Sequence, residues 1–346
     1  MVLKLKKRVN LAYRLLIKGE NPAGARGEVP AITPEEVAEA RQFFPLGKFF
    51  IFGHARSGTT LLTRLVRLHP RVHCNYQAHF FTRAPLLEAL VADEQVKEWL
   101  RRRSNRWNNG RDLSPLVLRA ASDFIMERDA RRAGKHAPGC LVGDKSPNSL
   151  LDGEAVRLMV KVYPDARLIF IVRDGRDAAI SHRFQAFIDM PQTLSRADLH
   201  IRADFARDPE PFLSGQRSLF TEKSLRNSAK GWAHNVVETD SAARQLLGKN
   251  YCQLRFEELL ANPWGEMSKI WSFLGVDPEA SGLKQALEAE LDQNPDADWQ
   301  QQKAGEIASA IQKGKQGNWQ NIFTPRDKQI FSEAAGEVLK AWNYPG

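Results

Sequence analysis

The chain has 346 residues, 42% hydrophobic and 26% charged, the balance of a folded globular protein and not of a disordered or fibrous one. Lys and Arg outnumber Asp and Glu by 50 to 41, a formal charge of +9, which suits an anionic ligand, substrate or surface. No zinc-finger spacing, basic zipper, RNP-like motif or lysine-rich tail accompanies that charge, so no nucleic-acid partner is expected.

From the N-terminus, residues 1–30 form a basic amphipathic segment. Leu5, Val9, Ala12 and Leu16 share a helical face, with Lys4, Lys7, Arg8, Arg14 and Lys18 elsewhere. Docking on its own domain is the reading taken, and peripheral contact with an anionic membrane is the second. No apolar run approaches the roughly 18 residues of a membrane span, and no secretory h-region follows Met1. Cys74, Cys140 and Cys252 are far apart without CxxC spacing and read as reduced thiols. A cytoplasmic location is therefore expected.

Thr33-Pro34-Glu35-Glu36 supplies an N-cap, a proline at the first helical position and a glutamate three residues on, predicting a helix from Pro34 to about Phe44. Phe49-Phe50-Ile51-Phe52 then reads as a buried strand, and Leu61, Leu62, Leu65, Val66 and Leu68 recur at helical spacing. Between them lies Gly53-His54-Ala55-Arg56-Ser57-Gly58-Thr59-Thr60. Such a glycine-bounded loop before a helix offers backbone N–H groups to an anionic phosphate. Its spacing meets the nucleotide-binding P-loop in every position but one, since Thr59 stands where the lysine belongs. Arg56, inside the loop, is the cation instead.

Val72-His73-Cys74 leads into Asn75-Tyr76-Gln77-Ala78-His79-Phe80-Phe81, and residues 84 to 134 read as helices over a sheet. A second strand, Cys140-Leu141-Val142-Gly143, delivers Asp144-Lys145-Ser146-Pro147, and after a helix from about Asp152 to Tyr163 comes the most apolar strand, Leu168-Ile169-Phe170-Ile171-Val172. It ends in Arg173, with Ser181 in the helix beyond. Residues 187–225 show little periodicity and read as a lid or acceptor-binding insertion. Trp232 to Leu247 predicts a helix, Tyr251 to Phe256 a fourth strand, and Pro325 to Trp342 a final helix. Apolar strands alternating with helices predict an α/β three-layer sandwich with a central parallel sheet. No repeat or clear linker divides it, so a single domain over 1–346 is expected. Arg56, Lys145 and Arg173 leave the carboxyl ends of the strands, where ligands bind in such sheets.

These motifs resemble the sulfotransferases that use 3′-phosphoadenosine 5′-phosphosulfate (PAPS). Arg56-Ser57-Gly58-Thr59-Thr60 resembles their 5′-phosphosulfate loop, and Arg173 with Ser181 their 3′-phosphate site. Asp144-Lys145-Ser146-Pro147 is similar to the Lys-Thr/Ser-Pro motif of heparan sulfate 3-O-sulfotransferases, whose lysine approaches the sulfuryl group. Leu254-Arg255-Phe256-Glu257-Glu258-Leu259 resembles the family's Arg-Tyr-Glu-Asp-Leu, and Lys313-Gly314 through Phe323-Thr324 its C-terminal cofactor loop. The resemblance covers roughly residues 48 to 324.

It implies a P-loop-like fold and transfer of sulfuryl from PAPS to a hydroxyl or amine of a small molecule, glycan or lipid, with fixed cations and no metal. Arg56, Ser57, Gly58, Thr59, Thr60, Arg173, Ser181, Lys313 and Gly314 would bind the cofactor, and Lys145, His79 and Arg56 would serve catalysis. Two departures stand out. Gln312 precedes Lys313-Gly314 where the family often has arginine, and Gln77 stands where the tyrosylprotein and heparan enzymes carry a catalytic glutamate. Glutamine takes no proton, so His79 is the first candidate base, with Asp144, His54 and His182 as alternatives. Trp232 and Phe323 are candidates for stacking on adenine, with core packing the preferred role. A P-loop ATP- or GTP-dependent kinase, or a non-catalytic nucleotide-binding module, are the competing functions.

Overall fold

Strand β1 (Gly47–Gly53) is central because its six residues after Gly47 are all buried. It pairs in parallel with β3 (Leu141–Lys145) on one side and β4 (Arg167–Val172) on the other, while β2 (Val72–Tyr76) and β5 (Tyr251–Arg255) form the edges. The order β2-β3-β1-β4-β5 gives one five-stranded parallel sheet, as the alternation of apolar strands and helices predicts. The computed structural model describes residues 29–83, 87–101, 110–293 and 317–345. The expected N-terminal helix and the pair Lys313-Gly314 lie outside the described residues.

Period-two alternation divides β1 between two cores. Phe49 and Ile51, with Ile169 and Ile171 of β4, face a cluster containing Leu62, Leu65, Met267, Ile270 and Trp271. Those residues come from helices α2 (Thr59–Val66) and α10 (Pro263–Leu274). Phe50 and Phe52, with Leu168, Phe170 and Val172, face the larger cluster containing Val156, Met159, Trp232, Val236 and Phe331. These lie on α5 (Gly153–Val162), α8 (Glu222–Leu247) and α12 (Pro325–Ala341). Burying each such side chain is worth about 1.5–3 kcal/mol, so a one-residue slip of β1, which would exchange its faces, is strongly disfavoured.

Among the described residues the other helices of six or more residues are α1 (Pro34–Phe43), α3 (Glu94–Arg101), α4 (Ser114–Arg132), α6 (Gly175–Asp189), α7 (Arg196–Arg207), α9 (Phe256–Ala261) and α11 (Leu283–Leu291). Thr33 and Glu36 close the expected capping box of α1, at 2.9 and 3.3 Å. At the sheet end away from the strand carboxyl termini, Lys48 is buried on Glu127 at 2.9 Å and near Asp123 at 3.4 Å. That network is structural and leaves the opposite end for chemistry. No helix among the described residues is long and apolar enough to cross a membrane.

Three readings change. The strand Val72–Tyr76 was not expected as a separate sheet member, because His73 and Asn75 interrupt its apolar character; both are nevertheless buried, His73 Nε2 lying 2.7 Å from Asp129. The predicted helix from Trp232 starts ten residues earlier, at Glu222, where Thr221 caps it by accepting from Ser224 N at 3.3 Å. Residues 187–225 are largely helical and not irregular. Helix α7 lacks an apolar stripe because it buries only Asp198 and Phe205. Asp198 pairs with Arg183 at 3.0 Å, and Phe205 packs among Phe184, Phe187 and Phe212.

Candidate active site

The loop after β1 is shaped by what surrounds its glycines. A Cβ on Gly53 would lie 2.8 Å from the Ile171 carbonyl, and one on Gly58 would lie 2.2 Å from the Phe256 ring. Gly58 also has φ of +89° and is the N-cap of α2, a backbone state that other residues adopt at a cost. Gly58→Ala is therefore expected to destabilise the protein by about 2–4 kcal/mol, backbone strain plus overpacking. Gly134→Ala, at φ +72° with nothing near its Cβ, should cost only about 1 kcal/mol. Equal urea-unfolding losses for the two variants would contradict this.

The first N–H groups of a helix have no intrahelical partner, and α2 presents its own just after Gly58. The Ser57 N–H is not among these donors, since it turns back to the His54 carbonyl at 3.1 Å. Its side chain is the available group. Ser57 Oγ is buried with no hydrogen bond among the described residues.

Two cations flank the loop. Arg56, at φ +73°, donates from Nε to Ser181 Oγ at 3.1 Å, joining the loop to α6. Arg173, immediately after β4, donates to the Arg56 carbonyl at 3.2 Å, and its guanidinium lies 4.9 Å over the Phe256 ring. Burial lowers the Arg173 pKa, and the charges of Asp177, Glu257 and Asp174 oppose that shift. Each of these carboxylates has another donor. Asp174 accepts from Arg176 Nη2 at 2.7 Å, Glu257 from Asp174 N at 2.9 Å, and Asp177 from Gly317 N at 2.6 Å and Trp319 N at 3.0 Å. Asp177 thereby ties the chain segment that follows Lys313-Gly314 to the first turn of α6.

Lys145 closes β3, level with Ile51 of β1 and Tyr76 of β2. Its Nζ lies 3.3 Å from Thr60 Oγ1 and 4.3 Å from the Tyr76 ring centroid. Burial pushes its pKa down to about 8, against the opposing charges of Cys74 and Asp144. Beside it, His79 Nδ1 lies 2.8 Å from Thr82 Oγ1. Burial, with Arg83 and Lys145, pushes His79 down to about 4, so the ring is neutral at pH 7. Among the alternative bases, Asp144 accepts from Ala78 N at 2.9 Å and Ser146 Oγ at 2.6 Å, and burial raises its pKa to about 6. His54 is pushed down to about 4 by burial and bonds the Ala55 carbonyl at 3.0 Å. His182 follows Ser181 on α6.

The fold thus brings Arg56, Ser57, Thr60, Lys145, Arg173 and Ser181 to one end of the sheet. Trp232 and Phe323 are core residues, 1% and 2% exposed. Trp232 supports the site from beneath, its Nε1 donating to the Arg173 carbonyl at 3.0 Å. Phe256 and Tyr76 were not singled out as site residues, yet Phe256 underlies both Gly58 and Arg173 and Tyr76 faces Lys145. Tyr76 had only its position at a strand's carboxyl end as a signal, while Phe256 stood within the Leu254–Leu259 motif with no role of its own assigned.

Residues 48–208 match the family model described as Sulfotransferase family. The chain is 26% identical to the protein-tyrosine sulfotransferase of Drosophila melanogaster over 230 residues, which are 66% of this chain and 38% of that protein. It is 25% identical to mouse heparan sulfate glucosamine 3-O-sulfotransferase 6 over 288 residues, 77% of this chain and 67% of that one. The chain thus spans only 38% and 49% of the fly and Caenorhabditis elegans tyrosine enzymes. Among solved structures, mouse sulfotransferase SULT7A1 complexed with PAP aligns at TM-score 0.45 and 19% identity, covering 90% of each chain. Mycobacterium avium STF9 aligns at TM-score 0.46 and 14% identity, over 92% of this chain and 89% of that one.

Proposed function

We propose that this chain, whose residues 48–208 match the sulfotransferase family model, moves a sulfuryl group from PAPS to a hydroxyl or amine acceptor. The observation that carries the reading is the pairing of cations around the β1 loop. Arg56 bonds Ser181, and Arg173 reaches the Arg56 carbonyl from the end of β4. A Walker-type nucleotidase would need an aspartate for Mg²⁺ at the end of that strand. Asp174, the nearest, is occupied by Arg176.

The loop fits the donor: Ser57 Oγ is a buried polar group with no protein partner among the described residues, and neither Gly53 nor Gly58 has room for a side chain. In this reading Arg56, Ser57, Gly58, Thr59 and Thr60 hold the 5′-phosphosulfate, and Arg173 and Ser181 hold the 3′-phosphate. Lys313 and Gly314 are assigned with them because Gly317, three residues on in the sequence, donates to Asp177. PAPS supplies an activated sulfuryl group on a phosphate leaving group, and the acceptor oxygen or nitrogen forms the new bond to sulfur as the old S–O bond breaks. The chain's contribution is positioning and charge stabilisation. The N–H groups opening α2, with Arg56 and Lys145, stabilise the negative charge released on the phosphate. The acceptor's proton passes to His79 Nε2, its Nδ1 being held toward Thr82. The acceptor is a small molecule, glycan or lipid, recognised by residues 75–135 and the helical insertion 187–225. The three cysteines are free, which supports a cytoplasmic setting, with membrane contact through residues 1–30 as the second element of the proposal.

The test is transfer from ³⁵S-labelled PAPS to a panel containing 4-nitrophenol, a tyrosine peptide and a glucosamine oligosaccharide. Labelled product is the expected result. Mg²⁺-dependent ATP turnover without any response to PAPS would replace the reading with a kinase, and tight 3′,5′-adenosine bisphosphate binding without transfer to any acceptor would replace it with a binding module. His79→Ala is expected to lower kcat by about 100-fold. Because its pKa lies near 4, the wild-type rate should not fall between pH 7 and 6 on account of this residue; a His79 variant with wild-type kcat would remove it as base.

A further inference from the structure

Gln77 and His79 both hold left-handed backbone, with φ of +52° and +54°. Each such non-glycine residue costs about 1–3 kcal/mol and persists only where its surroundings impose it. The surroundings here are the last residues of β3 and the residue after it. The Gln77 N–H donates to the Lys145 carbonyl at 2.8 Å, Ala78 N–H to Asp144 Oδ1 at 2.9 Å, and His79 N–H to Ser146 Oγ at 3.0 Å. Ser146 Oγ in turn donates to Asp144 Oδ2 at 2.6 Å. Three successive amides are thus held by three successive residues, and Asp144 and Ser146 are each only 1% exposed, where water does not compete for the bonds. Between those two residues, Lys145 carries its ammonium toward Thr60. The segment that places the cation therefore also templates the loop bearing Gln77 and His79.

We infer that Asp144 is a positioning residue for the acceptor side of the site: through Ala78 and Ser146 it fixes Gln77 and His79 relative to Lys145 without contacting the donor loop. The inference rests on the proposed sulfuryl transfer for its catalytic consequence, but the clamp itself is a property of the free protein. Asp144 is poorly suited to be the base. Both of its oxygens already accept hydrogen bonds, one from Ala78 N and one from Ser146 Oγ, and it is closed to solvent.

The test compares Asp144→Ala, Asp144→Asn and Ser146→Ala in the full chain. Asp144→Ala should speed amide hydrogen exchange at residues 77–79 by about 10-fold or more, the loss of a buried charge-assisted bond. Its affinity for 3′,5′-adenosine bisphosphate should stay within about twofold, as expected for a site with no shared contacts. With the best acceptor of the panel, kcat/KM for that acceptor should fall by about 10- to 100-fold while KM for PAPS is unchanged. Asp144→Asn keeps an oxygen for Ala78 N–H and an amide donor for Ser146 Oγ, so it should restore most of both signals. Ser146→Ala should free the His79 amide alone. Unchanged exchange at 77–79 in Asp144→Ala would overturn the inference, as would equal losses in nucleotide and acceptor binding. Should Asp144→Ala fail to fold, faster exchange at His79 in Ser146→Ala with near-normal exchange in Asp144→Asn supports the clamp, and identical exchange in both overturns it. If no panel acceptor is sulfated, the transfer reading fails while the exchange data still decide the clamp.

Discussion

Replacing Arg173 by methionine is expected to weaken binding of 3′,5′-adenosine bisphosphate by about 30- to 700-fold, the roughly 2–4 kcal/mol of a truncated buried charge contact. Arg173 is only 7% exposed, so its guanidinium would meet a phosphate with little water to screen it. The carboxylates around it are each held by another donor. They keep the local charge balanced while binding Arg176, the Asp174 backbone and the chain at Gly317. Arg173→Lys should recover only part of the loss, because an ammonium lacks the planar fork that spans two phosphate oxygens. Methionine keeps the aliphatic stem beside Phe256 but leaves the Arg56 carbonyl and the nearby carboxylates without the guanidinium, so a loss of thermal stability should accompany the loss of affinity. Calorimetric titration with the bisphosphate decides the matter, and an affinity within threefold of wild type would remove Arg173 from the 3′-phosphate site.

Lys145→Met should act on the opposite step. We expect kcat to fall by about 100- to 1,000-fold, the usual consequence of removing a preorganised charge from the place where negative charge develops, with bisphosphate affinity nearly unchanged. The pH profile supplies an independent check. With its pKa pushed down to about 8 by burial, Lys145 is charged below that pH and neutral above it. The rate kcat/KM for PAPS, which reports the free enzyme, should therefore decline as pH rises through about 8. Lys145→Arg should abolish that alkaline limb, since a guanidinium stays charged, even if the absolute rate is lower. A limb that persists in Lys145→Arg would assign the titration to another group.

Several features of the fold were legible in local pattern because local physics decides them. The all-apolar runs Phe49–Phe52 and Leu168–Val172 leave no polar face to solvent, so a doubly covered parallel sheet follows. Thr33-Pro34-Glu35-Glu36 carries its own cap. Helix α7 was not legible for the converse reason: its buried positions are Asp198, in an ion pair, and Phe205, in an aromatic cluster, with Ile201 only partly buried between them, too few apolar residues to mark a stripe. Strand β2 was hidden because the partner that makes His73 tolerable inside the protein, Asp129, lies 56 residues away.

The site divides along the same line. The glycine spacing of the β1 loop, the absence of its lysine, and cations at Arg56, Lys145 and Arg173 are determined by the sequence alone, since each is a local motif at a strand end. Only the tertiary structure decided that Arg56 bonds Ser181, that Phe256 closes over Gly58, and that Asp144 and Ser146 hold the amides of residues 78 and 79. Those contacts join residues 66 to about 200 positions apart. They exist because the five parallel strands bring their carboxyl ends side by side, a consequence of sheet order that no single stretch of chain encodes.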